Sequence, residues 1–195
     1  MRFAIFAVSL MSLVASLGQM YADAESPCKD YQLHICAFHI AKDDPKVVIE
    51  TQHYCSHLRE GLFQCLLFET TAKGVQPKLL GVEYVISDDL YQKLSPAEKL
   101  FWHPHDFEVR QGLLATIGLS EKEDQDVMKA LVKTWGKTWH TWPDPKTDLP
   151  LGSPRLMWSA TKQGAIPEKM IKERDERWDI NTAELKKERD SYLPH

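Results

Sequence analysis

The chain has 195 residues, with 24 lysines and arginines against 28 aspartates and glutamates and a formal net charge of −4. The basic residues are scattered rather than gathered on one segment, which argues against nucleic acid as a partner. Beyond the N-terminus no apolar run approaches the roughly 20 residues that span a bilayer.

In chain order, Arg2 precedes the apolar stretch "FAIFAVSLMSLVASL", and "GQMYADA" follows with Ala22 and Ala24 in small-x-small spacing. The run is short for a membrane span and carries a cleavage-like flank, the pattern of a secretory signal peptide. The expectation is that residues 1–24 are removed and that the protein is secreted or periplasmic, with no transmembrane segment afterwards. About 170 residues then remain, enough for one domain of ordinary size. They hold Cys28, Cys36, Cys55 and Cys65. An even count in an exported chain suggests disulfides, with the pairing open. Cys36 and Cys55 also stand two residues from a histidine, which suits a metal thiolate.

Strand patterns dominate the first half: "QLHICAFHI", "KVVIETQHYCSHL", "LFQCLLFE" and "KLLGVEYVIS", the last two joined by a loop with Gly74 and Pro77. Helical signals follow. Ser87 can cap "DDLYQKL", and Ser95 precedes Pro96 at a first helical position. The segment "DFEVRQGLLATIG" reads as extended, with Gly112 a bulge. Ser120 and Glu123 form a capping box for the next helix, and "GKTWHTW" returns to strand. From Pro143 to Pro154 the chain reads as a long loop. After Pro167 comes charged helix, broken near 179–181. Strands and helices without regular alternation point to α+β: a single domain with an antiparallel sheet and a few flanking helices over 25–165, plus a charged helical tail over 166–195.

Seven of the eight histidines fall in four short segments. In "HYCSH", strand alternation projects His53, Cys55 and His57 to one side. In "FWHPHDFEVRQG", Pro104 holds His103 extended, and a turn at Asp106 brings Glu108 back beside His103 and His105. His140 sits among Trp135, Trp139 and Trp142. Imidazole, thiolate and carboxylate are the ligand types of transition metals. Each segment alone also reads as polar strand residues. Phosphate-loop, nucleophile-elbow and dinucleotide fingerprints are missing.

The ordered segments "LHICAFH", "QHYCSHL", "QCLLFE", "LLGVEYVIS", "LFWHPHDFEVRQGLL", "LVKTWGKTWHTW" and "LPLGSPRLMWS" resemble the oil body-associated proteins, the DUF1264 family, over most of the chain from Tyr31 to Thr161. The resemblance implies a fold family and an association with lipid bodies, not a reaction. It places the His/Cys pattern on the same residues.

Residues and resemblance together lead to a metal-binding expectation. His53, Cys55, His57, His103, His105, Glu108 and His140 are the candidate ligands of a divalent transition metal, zinc by default for a mixed nitrogen, sulfur and oxygen set. The alternative is a lipid-surface protein without catalysis, acting through "LPLGSPRLMW" and the tail helices. A small molecule or a lipid is the expected partner class.

Overall fold

Period-two alternation of apolar side chains builds the first four strands. A computed structural model describes residues 27–193, in which β1 (Leu33–Ala41), β2 (Val48–Arg59), β3 (Leu62–Glu69) and β4 (Leu79–Ser87) run in succession. Each pairs antiparallel with its predecessor, placing Ile35 opposite His53, Cys55 opposite Cys65, and Cys65 opposite Glu83. The tight β2–β3 connection uses Gly61 at φ 69°, a left-handed conformation that glycine adopts without penalty. The described residues begin with a 3-10 turn at Pro27–Asp30. The signal-peptide expectation for residues 1–24 lies outside the described residues.

Helices α1 (Asp88–Gln92) and α2 (Pro96–Lys99) follow β4, and the Ser95 hydroxyl accepts the Glu98 N–H as its sequence suggests. The two-residue strand β5 (His103–Pro104) then gives way at His105 to helix α3 (Asp106–Arg110). The extended conformation expected from Asp106 to Gly118 is therefore only partly found. The Asp106–Arg110 ion pair at 2.7 Å favours a helical turn, and Gly112 at φ 69° ends it before the short strand β6 (Ala115–Thr116). Helix α4 (Glu121–Leu131) starts where Glu123 accepts from both the amide and the hydroxyl of Ser120. Strand β7 (Thr134–His140), a loop over 141–154, and β8 (Arg155–Trp158) complete the sheet.

That sheet is antiparallel throughout, and it closes. The order β1–β2–β3–β4–β7–β8 returns to β1, where Ile40 and Ala41 pair with Trp158 and Met157. At the other end, where β8 does not reach, β5 pairs with β7 and β6 pairs with β1. The expected α+β class with an antiparallel sheet holds in outline, and the sheet closes into a barrel. Inside lie Cys55, Cys65, Leu67, Leu80, Val85 and Met157, while Phe38, Ile40 and Leu113 pack outside against Ala160 and Ile166. Cys55 and Cys65 are joined by a disulfide across β2 and β3. Burial, and next the Glu50 carboxylate, push the Cys36 thiol up to about 12.

The charged C-terminal stretch forms α5 (Glu168–Trp178) and α6 (Thr182–Tyr192), separated by Asp179 at φ 53°. Each helix drives one arginine fully into the body of the protein. Arg174 donates to the carbonyls of Gly112 and Leu113 at 2.9 and 3.2 Å, and to the Thr182 hydroxyl at 2.8 Å. Arg189 donates to the carbonyls of Val109 and Leu114 at 2.7 and 2.8 Å. Replacing Arg174 with alanine strands two buried carbonyls, so unfolding by denaturant should register a loss of about 3 kcal/mol. A loss below about 0.5 kcal/mol would mean that these bonds hold nothing in place.

Candidate metal centre

Alternation sends every second side chain of β1 inward, in the order Leu33, Ile35, Ala37, His39. The same rule turns Cys55 and His53 inward on β2, and Val85 and Glu83 on β4. At the level of His39, His53 and Glu83 the barrel interior becomes polar. Glu83 is the hub. Its Oε2 lies 3.0 Å from His53 Nε2 and 3.8 Å from His39 Nε2. Its Oε1 lies 3.3 Å from His103 Nε2 and 3.4 Å from His105 Nε2. All five side chains are buried.

The donors form two groups of three that share Glu83: His39, His53 and Glu83, and Glu83, His103 and His105. Within each group the ligating atoms lie within 4.8 Å of one another. Room for them comes from Gly136 on β7. A Cβ there would stand 2.2 Å from Glu83 Oε1 and 2.6 and 2.7 Å from the Nε2 atoms of His103 and His105. Gly136 has no left-handed backbone to explain it, so the missing side chain serves the site.

Hydrogen bonds on the far side of the rings fix two tautomers. The Thr51 carbonyl can only accept, so His53 Nδ1, 3.2 Å away, carries the proton and Nε2 keeps its lone pair. The Thr134 hydroxyl donates to the Leu131 carbonyl at 2.7 Å, so it accepts from His105 Nδ1 at 2.8 Å. His105 Nε2 is then also a bare lone pair. Both lone pairs are aimed at the Glu83 carboxylate, and that of His53 also stands 3.0 Å from His39 Nε2. A backbone carbonyl or hydroxyl behind the imidazole is the usual outer support of a metal-ligating histidine. His39 Nδ1 meets His140 Nε2 at 2.9 Å, which sets His140 behind His39.

Charge follows the same geometry. Burial opposes ionisation of Glu83, yet the imidazoles around it, His103 first, hold its carboxyl well below the usual range. Burial, and then the charge of Glu83, push Glu108 well above that range. His39 and His103 are held below the normal histidine value by burial, and His140 falls to about 3 for that reason and for its proximity to His53.

Of the seven residues singled out by the sequence, the structure brings His53, His103 and His105 onto Glu83. Glu108 adjoins the group, its Oε1 4.0 Å from His105 Nε2, because the chain turns into α3 at Asp106. His140 touches it through His39. Two residues stand apart. The Cys55 sulfur is bonded to Cys65 and is not a thiolate, and His57 is exposed at the end of β2, against Phe63. Glu83 and His39 are additional members. Glu83 shares its strand parity with Val85, and His39 with Ile35 and Ala37, which was the available signal.

The profile of DUF1264, a protein family of unknown function, matches residues 25–193. The chain belongs to this family. Its curated relatives are oil body-associated proteins. Protein 2A of Arabidopsis thaliana is 34% identical, covering 93% of this chain and 74% of its own length. Protein 2B of Zea mays is 33% identical over 90% and 70%, and protein 2C of Arabidopsis thaliana is 37% identical over 87% and 72%. No solved structure matches. This membership overturns the expectation of a secreted or periplasmic protein, because the relatives are named for association with oil bodies. Among the described residues, this DUF1264 chain has no helix long and apolar enough to cross a membrane.

The direction of the Glu108 shift sets a pH dependence for metal-free protein. A carboxyl whose folded value is raised keeps its contribution below the unfolded value, about 4.3 for glutamate, and loses it as pH rises toward the folded value. Stability should therefore fall with rising pH over that range, and Glu108→Gln should remove this component of the slope. An unchanged slope in denaturant titrations of the variant would show that Glu108 is not held neutral.

Proposed function

We propose that this member of the oil body-associated family is a metal-binding barrel in which Glu83 anchors a divalent transition metal ion between buried histidines. One observation carries the reading. The Nε2 lone pairs of His53 and His105 both face an ionised carboxylate, at 3.0 and 3.4 Å. Acceptor against acceptor is unfavourable in a buried site, and a cation between them turns each repulsion into a bond. Each group offers two histidines and one carboxylate, and a shared Glu83 can serve either group or bridge both.

Zinc fits nitrogen and oxygen donors. With Cys55 withdrawn into a disulfide, the sulfur that favoured zinc is gone, and sets of two histidines with one carboxylate suit iron(II) as well. Three protein donors leave positions open, the arrangement in which a metal polarises a bound ligand or activates water.

Protein purified without chelator should contain transition metal by elemental analysis. Added metal at about 100 times its Kd should stabilise the fold by about 2.7 kcal/mol. Glu83→Gln and Gly136→Ala should each abolish that gain, the first by removing the shared donor and the second by filling its space. A clean apoprotein whose melting ignores zinc, iron, copper and manganese ends this reading.

A second reading is favoured by Leu149 and Leu151, which are 61% and 65% exposed on the loop after β7. The relatives' name suggests that such a loop meets a lipid surface. Tail residues Met170 and Ile171 pack instead against the outer core, so the loop carries this reading alone. Flotation with phospholipid-coated triolein droplets should recover the protein, and Leu149→Ser with Leu151→Ser should leave it in the aqueous phase. Equal flotation of both forms removes the loop from consideration.

A further inference from the structure

The polar cluster is the floor of a cavity. The inward side chains grade from hydrocarbon to donor along each strand: Leu33, Ile35 and Ala37 before His39, Val85 before Glu83. The space above the cluster is about 110 Å³, bounded at its outer end by Leu33, Phe63, Val127 and Leu131. These four are only half-buried, and Ala130 beside them is exposed, so the space reaches solvent between α4 and the strand ends. A cavity of about 150 Å³ with leucine, isoleucine and phenylalanine walls stays dry and binds benzene. This one is somewhat smaller and similarly lined, except at its floor.

From the graded walls and the dimensions we infer that the barrel interior binds a small molecule with an unbranched or cyclic hydrocarbon body of up to about six carbons and a single polar end group. The body occupies the cavity, and the end group lies against Glu83, His53 and His105. Placement of the end group rests on the metal reading above. Binding of the hydrocarbon body does not. Larger molecules are excluded by the closed barrel, and strongly polar ones find no partner on the walls, where an unsatisfied polar group is costly.

Two measurements on the full chain separate these parts. In the first, metal-free protein is titrated with benzene, followed by methyl NMR shifts and melting temperature. Binding should perturb methyls of Ile35, Val85 and Leu114 and raise the melting temperature. In the second, cobalt(II)-loaded protein is titrated with straight-chain carboxylates of two to ten carbons, read from the cobalt absorption spectrum. Affinity should rise about fourfold per methylene, the fold-change equivalent of burying one CH₂, and then fall beyond about six carbons as the cavity fills. Val127→Trp, at the half-buried rim and away from the donors, should abolish both responses while cobalt content and the circular dichroism spectrum stay unchanged. Benzene that shifts nothing, an affinity independent of chain length, or a Val127→Trp variant that binds as the parent does overturns the inference. Failure to take up cobalt sinks the metal reading instead, and the benzene titration still decides whether the cavity binds hydrocarbon.

Discussion

A negative charge held at the centre of a closed barrel governs this structure. Removing one carboxylate from water costs several kcal/mol even after the protein relaxes, and Glu83 is 3% exposed. Four histidine nitrogens within 3.8 Å offset that cost in part. Neutral imidazoles have only one N–H each, however, and those of His53 and His105 are turned away toward Thr51 and Thr134. The arrangement is electrostatically incomplete as protein alone. That incompleteness, rather than the number of histidines, separates a ligand shell from a buried hydrogen-bond network.

Barrel closure is what brings the donors together. His39, His53 and Glu83 come from β1, β2 and β4, with β3 lying between the last two. His103 and His105 come from the short strand β5 and the residue after it, paired to β7, which is the neighbour of β4 in the ring. Two glycines keep the β4–β7 seam passable. A Cβ at Gly81 would stand 1.9 Å from the Trp139 carbonyl oxygen, and one at Gly136 would enter the donor set. Glycine inside a strand costs roughly 0.5–1 kcal/mol relative to alanine. At both positions the cost is accepted for space.

The first four strands were legible because each carries a period-two pattern long enough to stand out. Helix caps at Ser95 and Ser120 were legible for equally local reasons. Closure was not, since it depends on two-residue pairings of β5 and β6 and on a four-residue β8 that follows a proline-rich loop. The histidines drew attention by clustering, whereas Glu83, alone in "LLGVEYVIS", looks like any polar strand residue until the parity of Val85 is followed. His39 shares parity with the apolar side of β1, whereas His34 and Cys36 lie on its other face. Cys55 does point inward with His53, as alternation requires. Which chemistry its sulfur takes was decided by Cys65 across the strand pair, a contact that spacing along the chain does not reveal.

The tail shows how far from the chemistry its geometry is secured. Helix α3 has five residues, too few to persist on their own, yet it carries Glu108 and follows directly from His103 and His105. The carbonyls of Gly112, Leu113 and Leu114 lie past the end of the helix, and that of Val109 accepts only from the Gly112 amide within the backbone. The guanidiniums of Arg174 and Arg189 supply donors to these carbonyls from α5 and α6. A fully buried arginine is costly unless it is paired. Arg174 makes its hydrogen bonds, and Arg189 adds an ion pair with Asp124 at 3.6 Å while its Nε has no hydrogen-bond partner. The two C-terminal helices are therefore committed to this one docking position. The rings of His103 and His105 inherit that fixity through the backbone. The charged sequence after Pro167, which reads alone as a docked or solvated helix pair, is thereby part of the framework that keeps two histidines aimed at Glu83.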